Sequence, residues 1–150
     1  MMSYFLVSLA VFSGLIFGII VSFIAKDELK QGKPYFIAFQ NLLVALTLGV
    51  LFYFYKLDLY FVVVAVLLIF FSLFLVSSIK KSYIIYPLLA LLFYASSGII
   101  LFFVLESVLI FLCGFSTAGL LIKRKKDILP VILKHISFVV IANIIPLIFV

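Results

Sequence analysis

Ser116 and His135 lie at about equal distances on either side of the basic cluster in "CGFSTAGLLIKRKKDILPVILKH", residues 113–135. If this segment folds back on itself, a hydroxyl and an imidazole arrive at one depth, the pairing from which a serine nucleophile and its general base are built. Matched depth is necessary for such a dyad, but any two residues symmetric about a hairpin have it. A serine nucleophile also needs an oriented base and donors for an oxyanion, and the sequence offers neither. The plainer reading is stronger. Serine in an apolar helix bonds back to a carbonyl one turn earlier. His135, with Lys134 beside it, can reach toward a polar boundary. No residue is assigned as catalytic.

The "GFSTAG" stretch resembles the G-x-S-G serine motif of rhomboid intramembrane proteases in part. After Gly114, Phe115 and Ser116 comes Thr117, where that family has glycine. P-loop, dinucleotide, HExxH and paired-carboxylate patterns are absent from the sequence, so no cofactor or metal is expected.

Glu106 is the one acidic residue well inside an apolar run, "IILFFVLESVLIFLCG". An ionised carboxylate there is expensive, so the group is expected to be protonated, hydrogen-bonded or facing a wet cavity. One reading makes it a proton- or cation-coupling carboxylate. The other places it near the outer interface or at a helix start, where the dipole favours it. Asn143 mirrors it in depth and is its expected partner. Glu106, Cys113 and Thr117 share one helical face by the 3.6-residue period. Gln40 and Asn41 lie at a depth comparable to His135, and interhelical hydrogen bonding is their default role. Glu106, Asn143, Gln40, Asn41 and His135 together are the residues from which a polar pathway would be made.

The elements that position these residues follow from composition. The chain of 150 residues is 69% hydrophobic and 11% charged, with a mean hydropathy of +1.53. Ordinary soluble domains are about half apolar and about a quarter charged. A fold of this size leaves roughly a third of its unfolded surface exposed, so water is excluded as the solvent for most of the chain. The formal charge of +6 comes from short clusters between apolar runs, the pattern of membrane flanks facing anionic headgroups rather than of a nucleic-acid surface. Cys113 is the only cysteine, which excludes an intrachain disulfide and reads as a small buried apolar residue.

A helix needs about 20 apolar residues to cross a hydrocarbon core. Five stretches meet or nearly meet this, and one of them, the 40 residues from Tyr83 to Ile122, is long enough for two crossings. The break between those two falls either at Ser96–Gly98 or near Glu106 and Ser107. The fold class is therefore all-α: one domain over 1–150, a polytopic bundle of six membrane-spanning helices at about 3–25, 34–55, 58–79, 83–95, 98–122 and 127–149. The start lacks the basic n-region of a cleaved signal and reads as a retained first span. Alternation suited to a transmembrane barrel is absent.

Orientation follows from the basic residues. The odd-numbered loops hold nine (Lys26, Lys30, Lys33, Lys80, Lys81, Lys123, Arg124, Lys125 and Lys126), and the even-numbered loops hold Lys56 alone. The odd loops are expected in the cytoplasm and both termini outside. Lys123, Arg124, Lys125 and Lys126 are the expected membrane-surface residues, primarily an orientation signal and secondarily a contact for acidic headgroups. Tyr53, Tyr55, Tyr60, Tyr83 and Tyr86 near span ends read as interfacial anchors. Each basic cluster is followed by a proline (Pro34, Pro87, Pro130), placed for the first turn of a helix.

In the first span Ala10, Gly14, Gly18 and Ser22 recur every four residues, a ridge of small side chains that lets another backbone approach closely. It predicts that this span is buried against a neighbour, in the same chain or in a second copy.

The run "FYASSGIILFFVLESVLIFLCGFSTAG", with "KDELKQGKPYF" before it, resembles small multi-pass membrane proteins of archaeal type. The resemblance implies a small polytopic membrane protein with Glu106 inside the fifth span, and no activity to carry over. Three functions are expected, in order. The first is a non-catalytic packing or accessory subunit of a membrane assembly, its partners being lipids, a second copy or another membrane protein, and no nucleic acid. The second is a small transporter or channel with a pathway at Glu106. The intramembrane hydrolase trails both.

Overall fold

Backbone N–H and C=O groups along stretches this apolar find partners only in one another, and helices meet that demand within each segment. The computed structural model describes residues 2–75, 78–122 and 127–148. Within them run α1 (Met2–Ile24), α2 (Lys26–Phe54), α3 (Leu59–Leu75), α4 (Ser78–Ser96), α5 (Ile100–Leu121) and α6 (Ile128–Ile148). Four segments are long and apolar enough to cross a membrane: Tyr4–Ile24, Gln31–Phe54, Ile100–Leu121 and Ile128–Ile148. The apolar part of α3, Leu59–Leu75, and that of α4, Ile84–Ser96, are shorter.

The ambiguous 40-residue stretch breaks at the first of the two expected places. Ile99 is extended ahead of α5, and the bonds Ser97 N–H to Tyr94 O and Ile99 N–H to Ser96 O form the turn. Glu106 is thereby placed inside α5 rather than at a helix start. The prolines differ from expectation. Pro130 is in the first turn of α6, but Pro34 and Pro87 lie inside α2 and α4. Those helices start at Lys26 and Ser78, because polar residues with good helix propensity extend the segment beyond its apolar part. Carbonyls released by an internal proline are affordable there, close to the polar end.

The end of α2 and the start of α3 are set by side-chain and backbone chemistry. Lys56 has φ 57°. Its N–H bonds Tyr53 O, and Leu57 N–H bonds Phe52 O: a Schellman closure, with lysine at the left-handed position glycine usually takes. Asp58 caps the next helix, accepting from Tyr60 N–H at 3.0 Å.

Side-chain contacts fix the relative helix directions. Gly14 packs on Phe111 and Gly18 on Phe115, an equal step on both, so α1 and α5 run parallel. Gln40 meets Thr117 and Phe54 meets Phe102, so α2 runs antiparallel to α5. Tyr86 meets His135 and Phe93 meets Phe138, so α4 and α6 are parallel. α5 is the central element, packed against α1 most extensively and then against α2 and α4. The core runs between these helices through Leu43, Val44, Leu89, Phe93, Ile110 and Phe138. The ridge on α1 is intramolecular: Gly14, Gly18 and Ser22 are buried, while Ala10 is exposed and lies off the contact. A reciprocal glycine completes it, since a Cβ on Gly114 would stand 2.9 Å from Leu15 N.

Apolar side chains face outward on all six helices. α3 is the extreme case. Val62 is its one buried residue among those described, and it leans on α2 at Gly49, where Val66 fills the space a side chain would need.

Candidate functional site

Polar side chains inside the bundle collect at two levels. At one level Gln40 of α2 donates from Nε2 to Thr117 Oγ1 of α5 at 2.7 Å, and that hydroxyl donates on to Cys113 O at 2.7 Å. The Tyr86 hydroxyl of α4 reaches the neighbourhood of Thr117 without meeting hydrogen-bond geometry. The Tyr86 ring stands edge-on to the imidazole of His135 on α6, with centroids 4.1 Å apart. Four helices are thus joined by Gln40, Thr117, Tyr86 and His135. Asn41 is buried beside Gln40.

Tyr86 was expected at the interface as an anchor and is buried instead, because α4 begins eight residues before it. His135 was expected to reach toward the headgroups and is buried too, its Nδ1 turned onto the Val131 carbonyl of its own helix. Ser116 is buried, and its Oγ donates to Cys113 O at 3.1 Å, the self-bonded arrangement expected of a serine in an apolar helix. The hydroxyl and the imidazole are each turned onto a carbonyl of their own helix.

A second polar level lies toward the Lys56 end. Asn143 of α6 donates from Nδ2 to Ser8 Oγ of α1 at 2.9 Å and to Val139 O at 2.8 Å, and Ser8 donates to Phe5 O. The α1–α5 register of Gly14 on Phe111 puts Glu106 level with the turn of α1 that carries Ser8. Glu106 is 0% exposed. Neither carboxyl oxygen has a hydrogen-bond partner among the described residues, so the expected pairing with Asn143 does not form. Asn143 finds Ser8 and its own backbone first, since both lie within one side-chain length.

Beyond Glu106 toward the Lys56 end sits a layer of rings. Phe103 stacks with Tyr4 at 5.7 Å and tilts against Phe93 at 4.8 Å, and Phe102 meets Phe54 at 4.8 Å and Tyr53 at 6.4 Å. Outside that layer an open cleft of about 610 Å³ is lined by Tyr53, Phe54, Lys56, Leu57, Ile99 and Phe102. Of the expected anchors Tyr53, Tyr55 and Tyr60 are exposed at this end. The expected membrane-surface residues Lys123, Arg124, Lys125 and Lys126 lie outside the described residues, as does the side chain of Tyr83.

Sequence reasoning passed over Ser8 and the ring layer. Ser8 is one of several serines with no periodicity to mark it, and phenylalanine is common all along the chain. No family model, curated protein or solved structure matches the chain.

Proposed function

We propose that the chain is a six-span integral membrane protein with its lysine-rich connections in the cytoplasm, acting as a non-catalytic packing or accessory subunit of a membrane assembly. The observation that carries this reading is how the interior polar groups are spent. Ser8, Ser22, Thr47, Ser96, Ser116 and Thr117 all donate to carbonyls of their own helices. Gln40 and Asn143 tie helices together. No nucleophile, base and oxyanion donors converge among the described residues. The helix directions support a common side for the basic connections: α1 and α5 end, and α2, α4 and α6 begin, at one end of the bundle. α3 and the apolar part of α4 cross as shorter spans, which a bilayer accommodates by thinning or by flanking side chains reaching outward. Among the described residues α3 packs chiefly against α2, and it is the face offered to a partner.

A photo-crosslinker at Leu68 on α3, exposed away from α2, is expected to capture one discrete protein partner or a second copy in native membranes. Capture of lipid alone would overturn the accessory role. For orientation, single cysteines at Lys80 and Leu59 are expected to react with impermeant thiol reagents from opposite sides. Buried Cys113 stays silent in that assay. A second reading, a small proton- or cation-coupled transporter, is favoured by Glu106, a buried carboxyl with no hydrogen-bond partner among the described residues.

A further inference from the structure

Glu106 differs from the other unpartnered groups of the interior, such as the Tyr4 and Tyr86 hydroxyls, in being a carboxyl, which ionises at neutral pH in water. It is fully enclosed, both oxygens lack a partner among the described residues, and an ionised carboxylate without donors carries the whole cost of burial in such a place. We propose that Glu106 is a proton-binding site filled and emptied from the Lys56 end of the bundle, through the cleft between α2 and α5, with the Phe54–Phe102 ring pair as its gate.

The distances decide the side of access. Phe102 lines the cleft and is one helical turn, about 6 Å of rise, above Glu106 on the same face of α5. From Glu106 to the Lys56 end of α5, at Ile100, is about 9 Å of helix, and to the opposite end, at Leu121, about 22 Å. On the shorter way lies the ring layer. The longer way passes Ile110, Cys113 and Thr117, all buried, and the Gln40–Thr117 bond that closes the bundle at that level. Phe54 and Phe102 are both only half-buried, so a rotamer change of either ring opens onto the cleft without disturbing the core.

Space and charge select the ligand. The site is enclosed, and a proton needs no volume. A metal ion needs several oxygens, and the other oxygens level with Glu106, those of Ser8 and Asn143, belong to a closed pair. Lys56 at the mouth disfavours larger cations. The buried or half-buried titratable groups on the elements around Glu106 are Tyr4 on α1, Tyr86 and Tyr94 on α4, Cys113 on α5 and His135 on α6; the buried face of α2 brings Gln40, Asn41 and Thr47, none of which titrates. His135 is the one potential cation, and it sits eight residues along α6 from Asn143, about 12 Å deeper. In the proposed step the O–H bond of the Glu106 carboxyl breaks, the proton passes to water in the cleft and the carboxylate keeps the electron pair. Re-protonation from the same cleft reverses it.

The test is modification of Glu106 by dicyclohexylcarbodiimide, which attacks a protonated buried carboxyl, in vesicles sorted for orientation with an impermeant thiol reagent on Leu59→Cys. Labelling read by mass spectrometry is expected to fall several-fold when the medium on the Lys56 side is made alkaline, and to ignore the pH of the other side. Phe102→Ala is expected to speed that response several-fold and Phe102→Trp to slow it. Glu106→Gln abolishes the label and serves as the site control. Labelling that follows the pH of the basic-loop side, or neither side, overturns the proposal, and so does a response unchanged in both Phe102 variants. The readout requires neither a partner nor transport, so its outcome is separate from that of the Leu68 cross-link.

Discussion

Gly14 of α1 lies against the Phe111 carbonyl of α5 so closely that no side chain fits between them. With Gly18 on Phe115 and Gly114 on Leu15, this contact fixes which way α1 faces, and with it the depth at which Ser8 meets Asn143. In lipid, close approach of this kind replaces the hydrophobic force that holds helices together in water.

Gly14→Ala is therefore expected to destabilise the bundle. Alanine is the better helix former by about 1 kcal/mol, but the added methyl meets backbone, which cannot swing aside, and overpacking costs about 1–3 kcal/mol. Unfolding in detergent checks the sign. Gly98→Ala, where a Cβ meets nothing within 4 Å, is the control and is expected to change little. A Gly14→Ala protein as stable as the parent would show that α1 is not held by this contact.

Asp58→Ala is expected to cost about 1 kcal/mol through loss of the α3 cap, with Asp58→Ser recovering most of it. The same unfolding measurement applies, supplemented by hydrogen exchange at Tyr60, whose N–H the carboxylate holds. Slow exchange surviving in Asp58→Ala would remove the carboxylate from this role.

Lys56→Gly is expected to act in the other direction. A left-handed lysine costs about 1–2 kcal/mol, of which glycine returns part through its looser unfolded chain. A net gain of about 0.5–1 kcal/mol follows. Lys56→Ala keeps the strain and is expected to gain nothing, so equal gains in the two variants would assign the effect to charge rather than to backbone.

A double-mutant cycle across Gln40→Leu and Thr117→Val measures the bond between α2 and α5. Its coupling is expected near 0.6 kcal/mol and no greater than roughly 1.7, the range of interhelical hydrogen bonds in membrane proteins. Strictly additive substitutions would mean that the two side chains are held by packing alone.

Composition and hydropathy by themselves determined that this chain is helical, with segments long and apolar enough to cross a membrane, because stretches that apolar leave the backbone no partner but itself. They also placed the six helices to within a few residues, except where helical propensity carried α2 and α4 past their apolar cores and moved Pro34, Pro87 and Tyr86 inward with them. The spacing of Gly14 and Gly18 announced a close contact, yet only packing decided that α5 supplies the other side of it and that Ala10 stands clear. The polar residues were visible one by one. What they bind was not, since a hydrogen bond depends on the rotation of two helices about their axes and on the depth at which they meet. Helical phase gives neither across different segments. That is why Asn143 went to Ser8, why Gln40 found Thr117, and why Glu106, the residue most expected to find a partner, is enclosed with none among its described neighbours.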